Sequence, residues 1–131
     1  MKQLFLFIFV LTQSIVFSQT SDTYEKSPVF PGCENAANKK DCFQEKMQDH
    51  IRRNFRYPEI AQEMGVQGRV SVIFVIQKDG SIGNIRMRGP DKNLEKEAMR
   101  IIQKLPKMTP GKQRGRAVKV PFSIPITFKL Q

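Results

Sequence analysis

Few residues in this chain have a type and spacing that could carry chemistry. The only two cysteines are Cys33 and Cys42, with eight residues between them. As a reactive pair they would need C-x-x-C spacing, or further thiols and imidazoles to complete a metal site, and the single histidine is His50. The spacing favours a structural disulfide, which by chain entropy contributes about 2–3 kcal/mol. His50 stands beside Asp49 and the Arg52-Arg53 pair, with no nucleophile motif and no metal-ligand spacing. It reads as a surface or packing residue. Glu95 and Glu97 fall on different faces of one helical segment and cannot share a substrate. The chain reads as non-enzymatic, with no metal and no cofactor.

The elements that frame these residues follow from periodicity. Phe43, Met47, Ile51 and Phe55 recur every four positions, an α-helical stripe that Asp41 could cap. Tyr57-Pro58 interrupts it. A second short helical piece follows from Pro58 to Met64, with Ile60, Ala61 and Met64 inward and Gly65 as its end signal. From Arg69 to Lys78 the period changes to two, Asp79-Gly80 gives a two-residue hairpin signal, and Ile82 to Arg88 returns. Asn93 can cap a further helix whose apolar face is Leu94, Ala98, Ile101, Ile102 and Leu105, stopped by Pro106. Residues 107–117 read as a basic loop. Val118 to Leu130 alternates as one long strand. The economical way to bury these stripes is an α+β domain, a three-stranded antiparallel sheet with two main helices packed on one face, in helix–hairpin–helix–strand order.

Composition sets the surroundings. A chain of 131 residues makes one domain, and its net charge is +10. Met1-Lys2, the apolar run Leu4 to Leu11, and Val16 and Ser18 before Gln19 fit an export signal over residues 1–18. The alternative is an inner-membrane anchor through residues 4–17, although these are fewer than the ~20 apolar residues a spanning helix needs. Residues 19–40 then form an extended polar lead-in, and 41–131 the domain. Beyond Ala98 eight basic residues occur and no acidic one, a surface suited to an acidic partner or an anionic membrane. Without stacking aromatics or a finger motif, nucleic acid is not an expected partner.

The ordered set Tyr57-Pro58, Ala61, Gly65-Val66-Gln67-Gly68-Arg69-Val70, Phe74-Val75-Ile76, Asp79-Gly80-Ser81, Glu97-Ala98, Leu105-Pro106, Pro110-Gly111-Lys112 and Pro125-Ile126-Thr127-Phe128 resembles the C-terminal domain of TonB, the bacterial energy transducer. The Cys33–Cys42 segment looks like an extension found in Bacteroidetes-type members. The resemblance implies a periplasmic domain that grips the TonB box of outer-membrane receptors by strand addition to its last strand. It also implies coupling, in a tethered protein, to the motor proteins ExbB and ExbD. On that reading Asn54, Tyr57 and Pro58, together with Val118, Lys119, Val120, Ser123, Thr127 and Lys129, meet the partner. A free-standing periplasmic adaptor that binds another envelope protein is the alternative, and a long edge strand also permits a strand-exchanged homodimer.

One property of the last strand follows from its sequence alone. Pro121 and Pro125 share parity, so both missing N–H groups lie on one edge. That edge must face away from the neighbouring strand, which needs ladder donors. Outward donors then remain at Ser123 and Thr127.

Overall fold

The computed structural model describes residues 25–131. The expected export signal over residues 1–18, the alternative anchor over residues 4–17 and the start of the lead-in fall outside the described residues.

The lead-in is docked rather than free. Lys26 exchanges backbone hydrogen bonds with Lys112 (3.0 and 2.9 Å), and Val29 with Thr109 (3.0 Å each way). Pro28 and Phe30 are buried, and the Phe30 ring meets that of Phe43 edge-on at 5.6 Å. Cys33, fully buried, is disulfide-bonded to Cys42. Helix α1 runs from Lys39 to Asn54, and its cap is Asn38, not Asp41. The Asn38 side chain accepts the Asp41 N–H at 3.0 Å. Asp41 lies instead inside the first turn, where a carboxylate meets the positive helix end. Phe43, Met47 and Ile51 are buried as their spacing predicts.

Pro58 caps the short helix α2, Glu59–Glu63. Only Ala61 of the expected inward trio is buried; Ile60 is 56% and Met64 71% exposed. A helix of little more than one turn seats one small side chain against the core and turns the others to water. Gly65 takes φ +67 past its end, and the Val66 N–H returns to the Ala61 carbonyl at 2.8 Å.

Strands β1 (Gly68–Ile76) and β2 (Ile82–Arg88) form the hairpin. Its loop is longer than the two residues expected: Gln77 N–H donates to Ser81 O, enclosing Lys78, Asp79 and Gly80. Gly80 supplies the left-handed residue at φ +87. A Cβ there would stand 1.8 Å from the Met108 carbonyl oxygen, so glycine is also required by space. Between the Ile73–Arg86 and Val75–Gly83 pairs β2 carries one extra residue, and Asn84 turns to φ 48.

Helix α3, Lys92–Gln103, is capped by Asp91, which accepts from Asn93 N (2.8 Å) and Leu94 N (3.2 Å). Asn93, the expected cap, lies inside the helix. The apolar face is the one expected: Leu94, Ala98, Ile101 and Ile102 are fully buried and Leu105 nearly so. The 107–117 stretch is not only loop: β3 (Gly111–Gln113) pairs with β4 (Arg116–Val118) about Arg114 and Gly115, both at positive φ. Strand β5 is correspondingly shorter than expected, Val120–Phe128. Val118 belongs to β4, and Lys119 separates the two strands.

The main sheet has the order β2-β1-β5, antiparallel throughout. Its inner face carries Val70, Val72, Phe74, Ile76, Ile124, Ile126 and Phe128 against the helices, and its outer face exposes Arg69, Ser71, Ile73, Arg86 and Arg88. The α+β architecture expected from the sequence, three antiparallel strands with two main helices on one face, is the one observed. Helix α3 packs on β1 and β2. Helix α1 lies along β5, with Phe43 against Phe122 (4.8 Å) near its start and Phe55 against Phe128 (5.1 Å) just past its end.

Candidate partner-docking edge

Among the described residues β5 is bonded on one side only, to β1. In an antiparallel ladder alternate residues turn their backbone groups toward the neighbour and away from it. Proline cannot donate, so the residues facing β1 are Val120, Phe122, Ile124, Ile126 and Phe128, opposite Ile76, Phe74, Val72, Val70 and Gly68. The open edge is formed by Pro121, Ser123, Pro125 and Thr127, opposite Val75, Ile73, Ser71 and Arg69. It offers four carbonyls but only two N–H groups, at Ser123 and Thr127. The other sheet edge, β2, is distorted by its bulge, which weakens it as a template.

Two clefts follow one another along the seam between β5 and α1. The first, of about 230 Å³, is lined by Ser27, Pro28, Lys40, Phe43, Gln44 and Phe122. The second, of about 430 Å³, is lined by Gln48, Ile51, Arg52, Phe55, Pro125, Ile126, Thr127 and Lys129. Inward and outward side chains of β5 both reach the second cleft, so it opens directly onto the strand edge.

The site residues expected from the sequence divide into two groups. Val120, Ser123, Thr127 and Lys129 lie on β5 or just past its end, the side chains of Ser123, Thr127 and Lys129 exposed. Val118 and Lys119 precede β5 and stand at the small hairpin instead. Asn54 ends α1, Tyr57 lies in the link that follows and Pro58 caps α2, all three half-buried. The Asn54 amide donates to His50 O (2.8 Å) and to His50 Nδ1 (3.3 Å). The Asn54 carbonyl accepts from Arg100. Tyr57 donates its hydroxyl to the Val66 carbonyl, and its ring packs on Phe55 and Phe128. These side chains brace the link between α1 and α2 at the Phe128 end of β5.

The charged and titratable groups nearby are structural too. His50 is buried, with Nε2 donating to the Ile101 carbonyl at 2.8 Å, which joins α1 to α3 and makes it a packing histidine. Glu97, also buried, accepts from Arg100 Nε (2.6 Å), Arg100 Nη2 (2.8 Å) and the Arg56 backbone N–H (2.6 Å). Its hydrogen bonds hold the Arg100 guanidinium above its ordinary pKa. Glu95 bonds the Gly89 N–H at 3.1 Å, so the two acids serve different elements. No cluster of metal-ligating side chains exists among the described residues.

The polar residues of α1 that line both clefts, Lys40, Gln44, Gln48 and Arg52, were not singled out from the sequence. Their spacing of four was visible beside the apolar stripe. The strand they flank, however, lies some 80 residues further along the chain.

Comparison with known proteins agrees with this architecture. The family model of the Gram-negative bacterial TonB protein C-terminal matches residues 53–130. The solution structure of the longer of two Helicobacter pylori TonB C-terminal domain fragments is similar, with 28% sequence identity over 74% of this chain and 87% of that one, TM-score 0.56. The shorter fragment has 30% identity over 66% of this chain and 92% of that one, TM-score 0.50. No curated protein matches the chain. Domains of this kind are non-enzymatic envelope modules, typically periplasmic, that interact with outer-membrane receptors. The chain belongs to the TonB C-terminal domain family, whose members take part in energy-coupled transport across the outer membrane.

Proposed function

We propose that this domain captures the TonB box of an outer-membrane receptor as a fourth strand on the free edge of β5. The observation that carries the reading is the unpaired edge itself, with Ser123 and Thr127 turned outward and open clefts beside it. An extended peptide laid there gains main-chain hydrogen bonds without any rearrangement of the sheet. Asn54, Tyr57 and Pro58 hold the α1–α2 link at the Phe128 end of the edge, where a receptor plug would approach. Lys119 and Lys129, exposed at the two ends of β5, add positive charge to that surface. The Cys33–Cys42 disulfide supports a place outside the cytoplasm, where such a bond persists.

The test is binding of synthetic receptor N-terminal peptides to the domain and to a Ser123→Pro/Thr127→Pro variant, followed by calorimetry. Pro121 and Pro125 show that β5 tolerates proline at outward positions. The variant keeps its fold and loses binding. Unchanged affinity in a folded variant overturns the reading.

A further inference from the structure

Helix α1 lies almost wholly before residue 53, where the family match begins. It nonetheless walls the seam beside β5. We propose that α1 is a side-chain-reading wall for the docked peptide, with Lys40, Gln44, Gln48 and Arg52 as its contacts and an acidic residue preferred at the Arg52 end; this rests on strand addition to β5.

The geometry fits an extended chain. Residues four apart on a helix rise about 6 Å. Inward side chains of a strand recur every two residues, about 6.7 Å apart. The four wall residues therefore run almost in step with the inward positions of a peptide bonded to β5. Phe43 and Phe55 anchor α1 to β5 at Phe122 and Phe128, so the wall follows the strand between those two residues.

A single cation, Lys40, is among the residues lining the first cleft and two, Arg52 and Lys129, line the second, so the charges weight the wall toward the Arg52 end. Neither cleft is lined by an acidic side chain. Arg52 and Lys129 converge on the cleft beside Thr127, while the middle of the wall is uncharged, Gln44 and Gln48. Asp49, on α1 itself, holds Arg52 at 2.7 Å, but both members of that pair are exposed, and such a pair is readily exchanged. Lys129 has no ion-pair partner among the described residues. A carboxylate on the peptide thus meets two cations at one end, and amide- or hydroxyl-bearing side chains suit the centre.

The experiment uses the full chain and labelled heptapeptides of alternating Thr and Val carrying Glu, Gln or Lys at the first or the last position, read by fluorescence anisotropy. Glu is preferred over Lys at one of the two ends by about three- to tenfold, as two largely exposed ion pairs provide. The Arg52→Glu/Lys129→Glu variant reverses that preference, and Ser123→Pro/Thr127→Pro, which removes both outward donors, abolishes binding of every probe. Equal affinity for the Glu and Lys probes, with Ser123→Pro/Thr127→Pro still abolishing binding, overturns the α1 wall and leaves strand addition standing. Absence of binding by every probe overturns both.

Discussion

Replacing Pro121 and Pro125 together with Val tests which way the strand edge faces. Both prolines occupy outward positions of β5, opposite Val75 and Ser71, and each withholds one N–H from whatever pairs there. The double variant restores two donors, raising the edge from two N–H groups to four. A backbone hydrogen bond contributes about 0.5–1.5 kcal/mol net, so two contribute about 1–3 kcal/mol to peptide binding. That corresponds to a receptor peptide bound roughly 5- to 150-fold more tightly. The fold itself gains nothing, because the β1 ladder uses the other parity, and loss of two rigid residues lowers stability by about 1 kcal/mol or less per site. Calorimetric titration with a receptor N-terminal peptide reads the affinity, thermal unfolding reads the stability, and sedimentation checks that the unblunted edge has not paired with itself. Unchanged affinity in a folded monomer refutes docking along this edge. Increased stability with unchanged affinity shows instead that the prolines face β1.

Other consequences concern the frame that holds the edge. Replacing Cys33 and Cys42 by Ser removes a cross-link between residues nine apart, and costs about 2–3 kcal/mol, on the order of 10 °C in thermal midpoint. The same midpoint with and without reductant in the wild-type chain contradicts this. Gly80→Ala forces a side chain against the Met108 carbonyl at positive φ, and destabilises by about 3 kcal/mol or more in denaturant titration. The Asp79 carboxyl is held below its ordinary pKa of 3.8 by hydrogen bonds from the Ser81 side chain and backbone. Its contribution is therefore present above that pH and is lost as pH falls through the lowered value. Thermal midpoints recorded between neutral pH and pH 2 should accordingly fall less in Asp79→Ala than in the wild type.

The parts of this fold readable in the sequence are those fixed by long stripes. The four-residue spacing from Phe43 to Ile51 and the alternation from Val120 to Phe128 each report burial of one face, and each face is buried apart from the half-buried Phe122. The proline parity was equally readable, because it depends on strand geometry and not on what the strand meets. Local choices were not fixed in this way. Asn38 and Asp41, or Asp91 and Asn93, are all competent caps by residue type, so type alone does not choose Asn38 and Asp91 over the other two. The β3–β4 hairpin has three-residue strands with little apolar alternation, so Lys112 to Ala117 carries no strand signal, and Val118 reads with the longer pattern that follows it. Ile60 and Met64 are apolar at helical spacing yet exposed, since α2 is too short to bury more than Ala61. The outward turn of Ser123 and Thr127 on β5 is readable from the proline parity. The polar row of α1 beside that strand is not, because exposed polar side chains carry no signal of a strand some 80 residues away.

The most direct test is amide hydrogen exchange across β5 with and without a receptor N-terminal peptide. Ser123 and Thr127, whose amides face outward, exchange fast in the free domain and become protected on binding, while Ile124 and Ile126, already bonded to β1, change little. Protection that appears on β2 instead, with Ser123 and Thr127 unchanged, contradicts capture by strand addition at β5.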